Sequence, residues 1–527
     1  MQVLREHLVS EKVLEKHDNI SVIPPSTMSL LFSQLKNKVF DGFQSIKGSP
    51  PELYKCFGMK FLDSLGYFTL SLSMTLFLTE DFGYNDVSAG TIYGLWGSLI
   101  SLFGLMTGFL VDNLGVAASL RLGFSLQLVS KVIIFFTTSR TTLLFSLALM
   151  SLGGCLGIPV LTVGVRRYST SKNRGFNFGL FYVIMNFAAF LSGPLVDYFT
   201  IIYKGESQED KRYLEDVYAN DGQKEWSLTG YRLIVLLGIC TNIIACLVSL
   251  TVKEIKVQDA SSHSSSDENQ NAEVQEFQPE KASCVQINKE VLQSKTFWKF
   301  LCVIMVTLNV RMIFRHLDAT LPKFMVREFG DNVAKGSIYS INPLLIMILV
   351  PIVTAMTTEV DPLVMIHHGC YISAASVFFL AFSTTIPACI LFVVFLSIGE
   401  AIWSPRLYDY TCSIAKEGRE GTFMALASAP LFLAKLPVGM ISGYLLTKYC
   451  PEEGPRDSKT MWLIIGLITA SSPIMLTLFW GYISKKEEEN TVETEYNGLL
   501  PENELTQILP VGEENVLKRR TSNNEII

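Results

Sequence analysis

Long apolar runs alternate with short polar breaks along most of the chain, and twelve of the runs are long enough to cross a bilayer as helices. Roughly 20 mostly apolar residues are needed, because the hydrocarbon layer is about 30 Å thick. The runs lie near 57–79 (α1), 89–111 (α2), 119–138 (α3), 142–165 (α4), 176–202 (α5), 231–252 (α6), 297–321 (α7), 336–358 (α8), 363–383 (α9), 386–408 (α10), 422–447 (α11) and 460–483 (α12). Strands of a membrane barrel are about half as long and alternate apolar with polar residues, so the expected class is an all-α membrane protein.

The polar stretches mark the boundaries. Residues 1–55 carry no short apolar core behind a basic end, so no cleaved signal peptide is expected and α1 directs insertion. Residues 253–295 are rich in Ser, Gln, Glu and Asn and cannot bury enough apolar surface to offset the entropy of ordering. They read as a disordered linker between two six-helix bundles, 56–252 and 296–483, with a cytoplasmic tail at 484–527. Val285 to Lys299 fits either an amphipathic lead-in helix or a plain tether.

Orientation follows from Lys and Arg in short loops. The loop between α4 and α5 holds Arg166, Arg167, Lys172 and Arg174, and that between α10 and α11 holds Arg406, Lys416 and Arg419. The loop after α1 has Glu80, Asp81 and Asp86 and no base. Both termini are therefore expected in the cytoplasm, as Lys36, Lys38, Lys47 and Lys55 before α1 and Lys485 and Lys486 after α12 agree.

The halves look alike. Gly157-Ile158-Pro159, a basic loop and Ser192-Gly193 in the first correspond to Trp403-Ser404-Pro405, a basic loop and Ser442-Gly443 in the second. The offset drifts only from 246 to 250, and Tyr93 and Tyr339 keep the spacing of 246. Two parallel six-helix repeats are an architecture in which a central site opens alternately to each side.

Composition removes several function classes. A net charge of −6 with acids gathered in soluble segments leaves no nucleic-acid footprint. The 10 cysteines stand singly with no C-x-x-C pair, which argues against a disulfide framework or metal site. No nucleophile and base stand at workable spacing, so neither an enzyme nor a cofactor is expected.

Between α2 and α3, Gly108-Phe109-Leu110-Val111-Asp112-Asn113-Leu114-Gly115 resembles the loop motif of the major facilitator superfamily. The resemblance implies twelve helices in two pseudo-symmetric bundles, with Asp112 and Arg166 as a gating pair. Further stretches resemble its proton-dependent oligopeptide transporters: Phe181-Tyr182 with Asn186 on α5, Asn342-Pro343-Leu344 on α8, and Gly399-Glu400 with Ser404-Pro405 on α10. That branch has Glu-x-x-Glu-Arg on α1, where this chain has Lys60, Asp63 and Ser64, and a Lys on α4, where it has Ile158. Peptide specificity and proton coupling therefore do not carry over; by position only Glu400 does.

Charges inside the runs supply the candidate chemistry, because ionised groups near the bilayer centre are costly and usually face a protein interior or a water-filled path. Glu400 lies midway along α10, and α7 carries Arg311, Arg315, His316 and Asp318. Arg311 is about 20 Å along α7 from Phe297, beyond easy reach of the inner surface. Two guanidiniums on one helix face can grip a carboxylate or phosphate with paired hydrogen bonds. The bland reading is a helix end at which Arg315 and His316 snorkel and pair with Asp318; His316 is the weaker site candidate.

Glu400 can carry a proton or pair with Arg311, and Asp63 is a second proton or cation carrier unless it merely pairs with Lys60. Tyr67, Tyr93, Tyr182, Asn186, Tyr339, Asn342 and Trp403 are candidates for lining the route, although aromatic residues in spans more often only pack. Glycines 94, 97, 104 and 108 on α2 and 153, 154 and 157 on α4 are expected at close helix contacts.

The expected function is secondary transport of a small carboxylate-bearing solute, such as an amino acid or short peptide, with protons as a candidate coupling ion. A non-transporting sensor and an uncoupled facilitator are the alternatives. In the tail, Glu495-Tyr496-Asn497-Gly498-Leu499-Leu500 fits tyrosine and dileucine sorting patterns, which would bring a sorting adaptor as partner. Plasma membrane and endosomal or lysosomal membranes are all compatible.

Overall fold

The computed structural model describes residues 40–41, 43–170, 173–202, 225–254, 295–357, 360–414 and 434–484, without the side chains of 105–113, 158, 295–297, 408, 409 and 411–414. Most of the linker, the sorting patterns and the side chain of Asp112 lie outside the described residues.

Every expected run is helical over most of its described length. α1 is Pro51–Glu80, α2 Asp86–Gly104, α3 Leu114–Phe136, α5 Arg174–Asp197 and α6 Gly230–Leu250. In the second half, α7 is Lys295–Ala319, α8 Lys335–Met356, α10 Ile386–Ile414, α11 Lys435–Tyr449 and α12 Ser458–Leu478. Eleven described helices are long and apolar enough to span a membrane. α11 is absent from that set because only its last part is described.

Local chemistry sets the ends and breaks. The side chains of Asn85, Thr229, Asp361 and Asp457 each accept a hydrogen bond from the first turn of the helix they precede, which satisfies an otherwise orphan N–H. No loop of several residues separates α2 from α3: helix is continuous from Asp86 to Phe136 except at Gly115, whose φ of 80° only glycine adopts freely.

α4 breaks at Leu156–Gly157 into Arg140–Cys155 and Ile158–Arg167, and α9 breaks at Val377 into Pro362–Ser376 and Phe378–Phe382. α7 stops at Thr320 and a short second helix, Leu321–Phe329, follows.

Within the first half α1 packs on α5 and α6, and in the second α10 packs on α8 and α9 while α12 packs on α7 and α9. The halves meet along α2 with α11 and α5 with α8. Both seams are built on glycine: Gly90 faces the backbone of Gly439, and Gly193 that of Gly336. A β-carbon on Gly193 would lie 2.0 Å from the carbonyl oxygen of Gly336. Gly94, Gly97, Gly153 and Gly157 also stand at close contacts, but Gly104 faces open space, contrary to expectation.

Polar latches reinforce these seams at the end bearing the α1–α2 turn. Asp197, at the end of α5, accepts from the backbone N–H of Gly336 and of Ser337 and from Ser337 Oγ, all at 2.7 Å. It thereby caps α8 of the other half, where a carboxylate meets the positive end of the helix dipole. Asp86, opening α2, lies 2.8 Å from both Lys323 Nζ and Arg327 Nη2 on the helix after α7. Chain beyond Phe479 forms a separate unit, of which Trp480–Ile483 is a short helix.

Candidate functional site

The charged group on α7 is buried, not snorkelling at a helix end. Arg311 and Asp318 are each 3% exposed, and Arg315 is 14% exposed at its side chain. The pairing expected for a surface end does form, with Arg315 Nη1 3.6 Å from Asp318 Oδ2, but inside the protein. Asp318 Oδ2 also accepts from Ser71 Oγ on α1 at 3.0 Å and from Tyr93 on α2 at 3.2 Å. Helices of both halves thus converge on one carboxylate.

Glu400 stands in the same region. Asn342 Nδ2 on α8 donates to Glu400 Oε2 at 2.9 Å and to Ser397 Oγ at 3.0 Å, while Arg315 and Arg311 lie within electrostatic reach of the carboxyl group. The Arg311 guanidinium sits over the Trp403 ring at 5.5 Å, and Trp403 Nε1 donates to Ser373 at 3.2 Å. Tyr339 is buried within reach of both Arg315 and Asp318. The Nε of Arg315 has no hydrogen-bond partner in this arrangement, so the guanidinium retains donor capacity for an incoming anion.

A residue the sequence reading did not single out completes the group. Lys435 on α11 is fully buried, and its ammonium donates to the Tyr67 hydroxyl at 2.6 Å. That ammonium also lies 4.9, 4.9 and 4.6 Å from the ring centres of Tyr67, Tyr93 and Trp96. A lone lysine in an apolar run carries the same warning as Glu400, so the signal was present.

Of the expected lining residues, Tyr67, Tyr93, Tyr339, Asn342 and Trp403 therefore gather with Arg311, Arg315 and Glu400. Asn186 donates to the carbonyl of Tyr182 within α5. His316 turns aside to Thr320, which in turn donates to Ser442.

Asp63 belongs to a second buried polar cluster, inside the first half. It lies within reach of Lys131 on α3, of Lys60 on its own helix and of the Gln127 side chain. Lys131 Nζ donates to Asn242 at 2.8 Å, and the Lys60 ammonium rests over the Phe181 ring at 4.9 Å. Pairing with Lys60 alone is thus too simple an account of Asp63. Lys131 was overlooked for the same reason as Lys435.

Near the α2–α3 junction Arg166 is exposed, and among the described side chains Arg167 makes an ion pair with Glu254 at 2.6 Å. The same Glu254 accepts from the backbone N–H of Ala117, just past the Gly115 break.

Residues 56–435 match the family model of the Major Facilitator Superfamily. No curated protein matches the sequence. Solved structures similar in fold include a POT family transporter in complex with 5-aminolevulinic acid, with a TM-score of 0.62 at 14% identity over 83% of this chain and 97% of that one. A POT family transporter with a thioalcohol conjugated peptide gives 0.60 at 15% over 83% and 97%. The peptide transporter POT in complex with sulfate gives 0.60 at 15% over 82% and 95%.

Proposed function

The chain belongs to the major facilitator superfamily of membrane transporters, and from that premise we propose that it moves a small carboxylate-bearing organic solute by alternating access through the charged chamber between its halves. Arg315 and Arg311 hold the anionic group, and Glu400 takes a coupled proton or a substrate amine. The observation that carries this reading is Glu400, bonded to Asn342 on α8 and within reach of two guanidiniums on α7. Solved structures of similar fold hold 5-aminolevulinic acid and a conjugated peptide, both solutes of the proposed size class.

The seams support alternation. Contacts between the halves gather at the end that carries the α1–α2 turn, where glycine backbones touch and Asp197 and Asp86 latch the partner half. With both termini in the cytoplasm, that latched end is the outer one. Asp63 is a further candidate for the coupled proton, and Asp112 with Arg166 for the inner gate.

Purified protein in liposomes tests the assignment through uptake of a radiolabelled carboxylate panel with and without a pH gradient. Uptake in the parent chain that survives both Arg315→Ala and Glu400→Gln at the full rate would remove these residues from the route. Counterflow separates a transporter from a sensor on the same fold.

A further inference from the structure

The aromatic group around Lys435 has the form of a cation receptor. Three electron-rich rings on α1 and α2 surround one positive charge at 4.6 to 4.9 Å, the arrangement by which proteins recognise ammonium ligands. Here the receptor belongs to one half and the cation to the other. The fit is built in on both sides: a β-carbon on Gly97 of α2 would lie 2.0 Å from Cδ of Lys435, so the lysine stem passes where only glycine leaves room.

We propose that Lys435 determines the specificity of this site: its ammonium occupies the cage that a substrate ammonium would take, so that the organic anion held by Arg315 and Arg311 carries no amine. The proposal rests on the transport reading for its chamber but names the solute class within it. Of the two roles open to Glu400, it leaves the proton. The chamber then differs in kind from one that takes an amino acid or peptide with its free amine.

The cage is tested without knowing the solute, using tetramethylammonium as the probe and tryptophan fluorescence as the readout in detergent-purified full-length protein. Lys435→Ala empties the cage and is expected to show saturable quenching at millimolar tetramethylammonium, whereas the parent and Lys435→Met, which keeps the stem, show none. Trp96→Phe in the Lys435→Ala background should abolish the response. If Lys435→Ala melts with the parent profile and shows no saturable response, the proposal is wrong; a parent that responds equally also overturns it. Should Lys435→Ala fail to fold, Lys435→Ser takes its place with the same two outcomes.

Solute class is tested on the parent by thermal shift with matched pairs that differ only in the amine, propionate against alanine and succinate against aspartate. The amine-free member is expected to bind at least tenfold tighter, and equal or stronger binding of the amine-bearing member refutes the class. Where neither member of a pair binds, the fluorescence result decides. A positive cage result with no uptake of any solute would end the transport reading and leave Lys435 as the determinant of a binding site.

Discussion

Removing the carboxylate of Asp197 should open the end of the protein that bears the α1–α2 turn. That side chain accepts three hydrogen bonds at 2.7 Å from the first turn of α8, two of them from backbone N–H groups and the third from the Ser337 hydroxyl. Hydrogen bonds to a charged acceptor contribute about 1.5–3 kcal/mol each, but part of this is recovered when water reaches the N–H groups in the open form, so a net ~1 kcal/mol per bond is a fair figure.

Asp197→Ala then weakens closure by about 3 kcal/mol, a shift of roughly 150-fold between closed and open populations. Asp197→Asn, which keeps one acceptor oxygen and loses the charge, should give a smaller shift. Spin labels on Thr141, in the first half, and Lys459, in the second, are both exposed at this end. The distance between them, measured by electron–electron resonance in nanodiscs, should gain a long component in Asp197→Ala. An unchanged distance distribution in a well-folded variant would show that the α5–α8 cap does not hold this end shut.

Gly193→Ala should shift the same distance in the same direction, because its methyl group would lie 2.0 Å from the carbonyl oxygen of Gly336 and must push α5 from α8; a distribution identical to the parent's contradicts this. Arg232→Ala should destabilise the first half outright. Arg232 is 2% exposed, donates to the carbonyls of Phe135 and Thr137 at 2.5 and 3.0 Å, and pairs with Asp81 at 3.4 Å. Breaking a buried pair on one side costs about 3–5 kcal/mol, readable as a lower melting temperature in detergent, and an unshifted melt would refute it.

Lys131→Met should likewise destabilise by removing one of the two cations beside Asp63 and the donor to Asn242, while adding Asp63→Asn should recover part of the loss. Strict additivity of the two changes would mean that they are not coupled.

The helices were legible in the sequence because each is a long apolar run, a property of consecutive residues. The positions of charge were legible as well: Arg311 and Arg315 stand in the most highly charged apolar run, together with Asp318, and Glu400 stands as a lone carboxyl midway along its own. Their partners were not. Asp318 was read as the neighbour of Arg315 on one helix, yet it also holds Ser71 and Tyr93 from the other half, and no periodicity within a helix reports a contact between helices 247 residues apart in sequence.

Lys435 and Lys131 show the converse case. Both interrupt apolar runs as plainly as Glu400 does, but neither falls in a stretch that resembles a family motif, and attention to motifs passed over them. The α5–α8 cap was hidden for a third reason. Asp197 ends one helix and Gly336 begins another, so each looks like an ordinary terminus until the two are seen to face each other.

Lys435 also ties the state of the seam to the charge of the chamber. Its stem lies against Gly97, in the row of glycines along which α2 meets α11, and its head is held by rings on α1 and α2. Separating α2 from α11 to open that end therefore draws the ammonium out of the cage. The cation–π attraction to each ring, about 2 kcal/mol when desolvated, gives way to hydration in the opened chamber. An anion bound beside Arg315 would attract the freed ammonium and so favour the open form that a neutral solute leaves unassisted. On the proposed reading, opening of the seam and recognition of the solute would share this one contact, with a lysine on α11 serving both where separate gate and binding residues would have to be coupled at a distance.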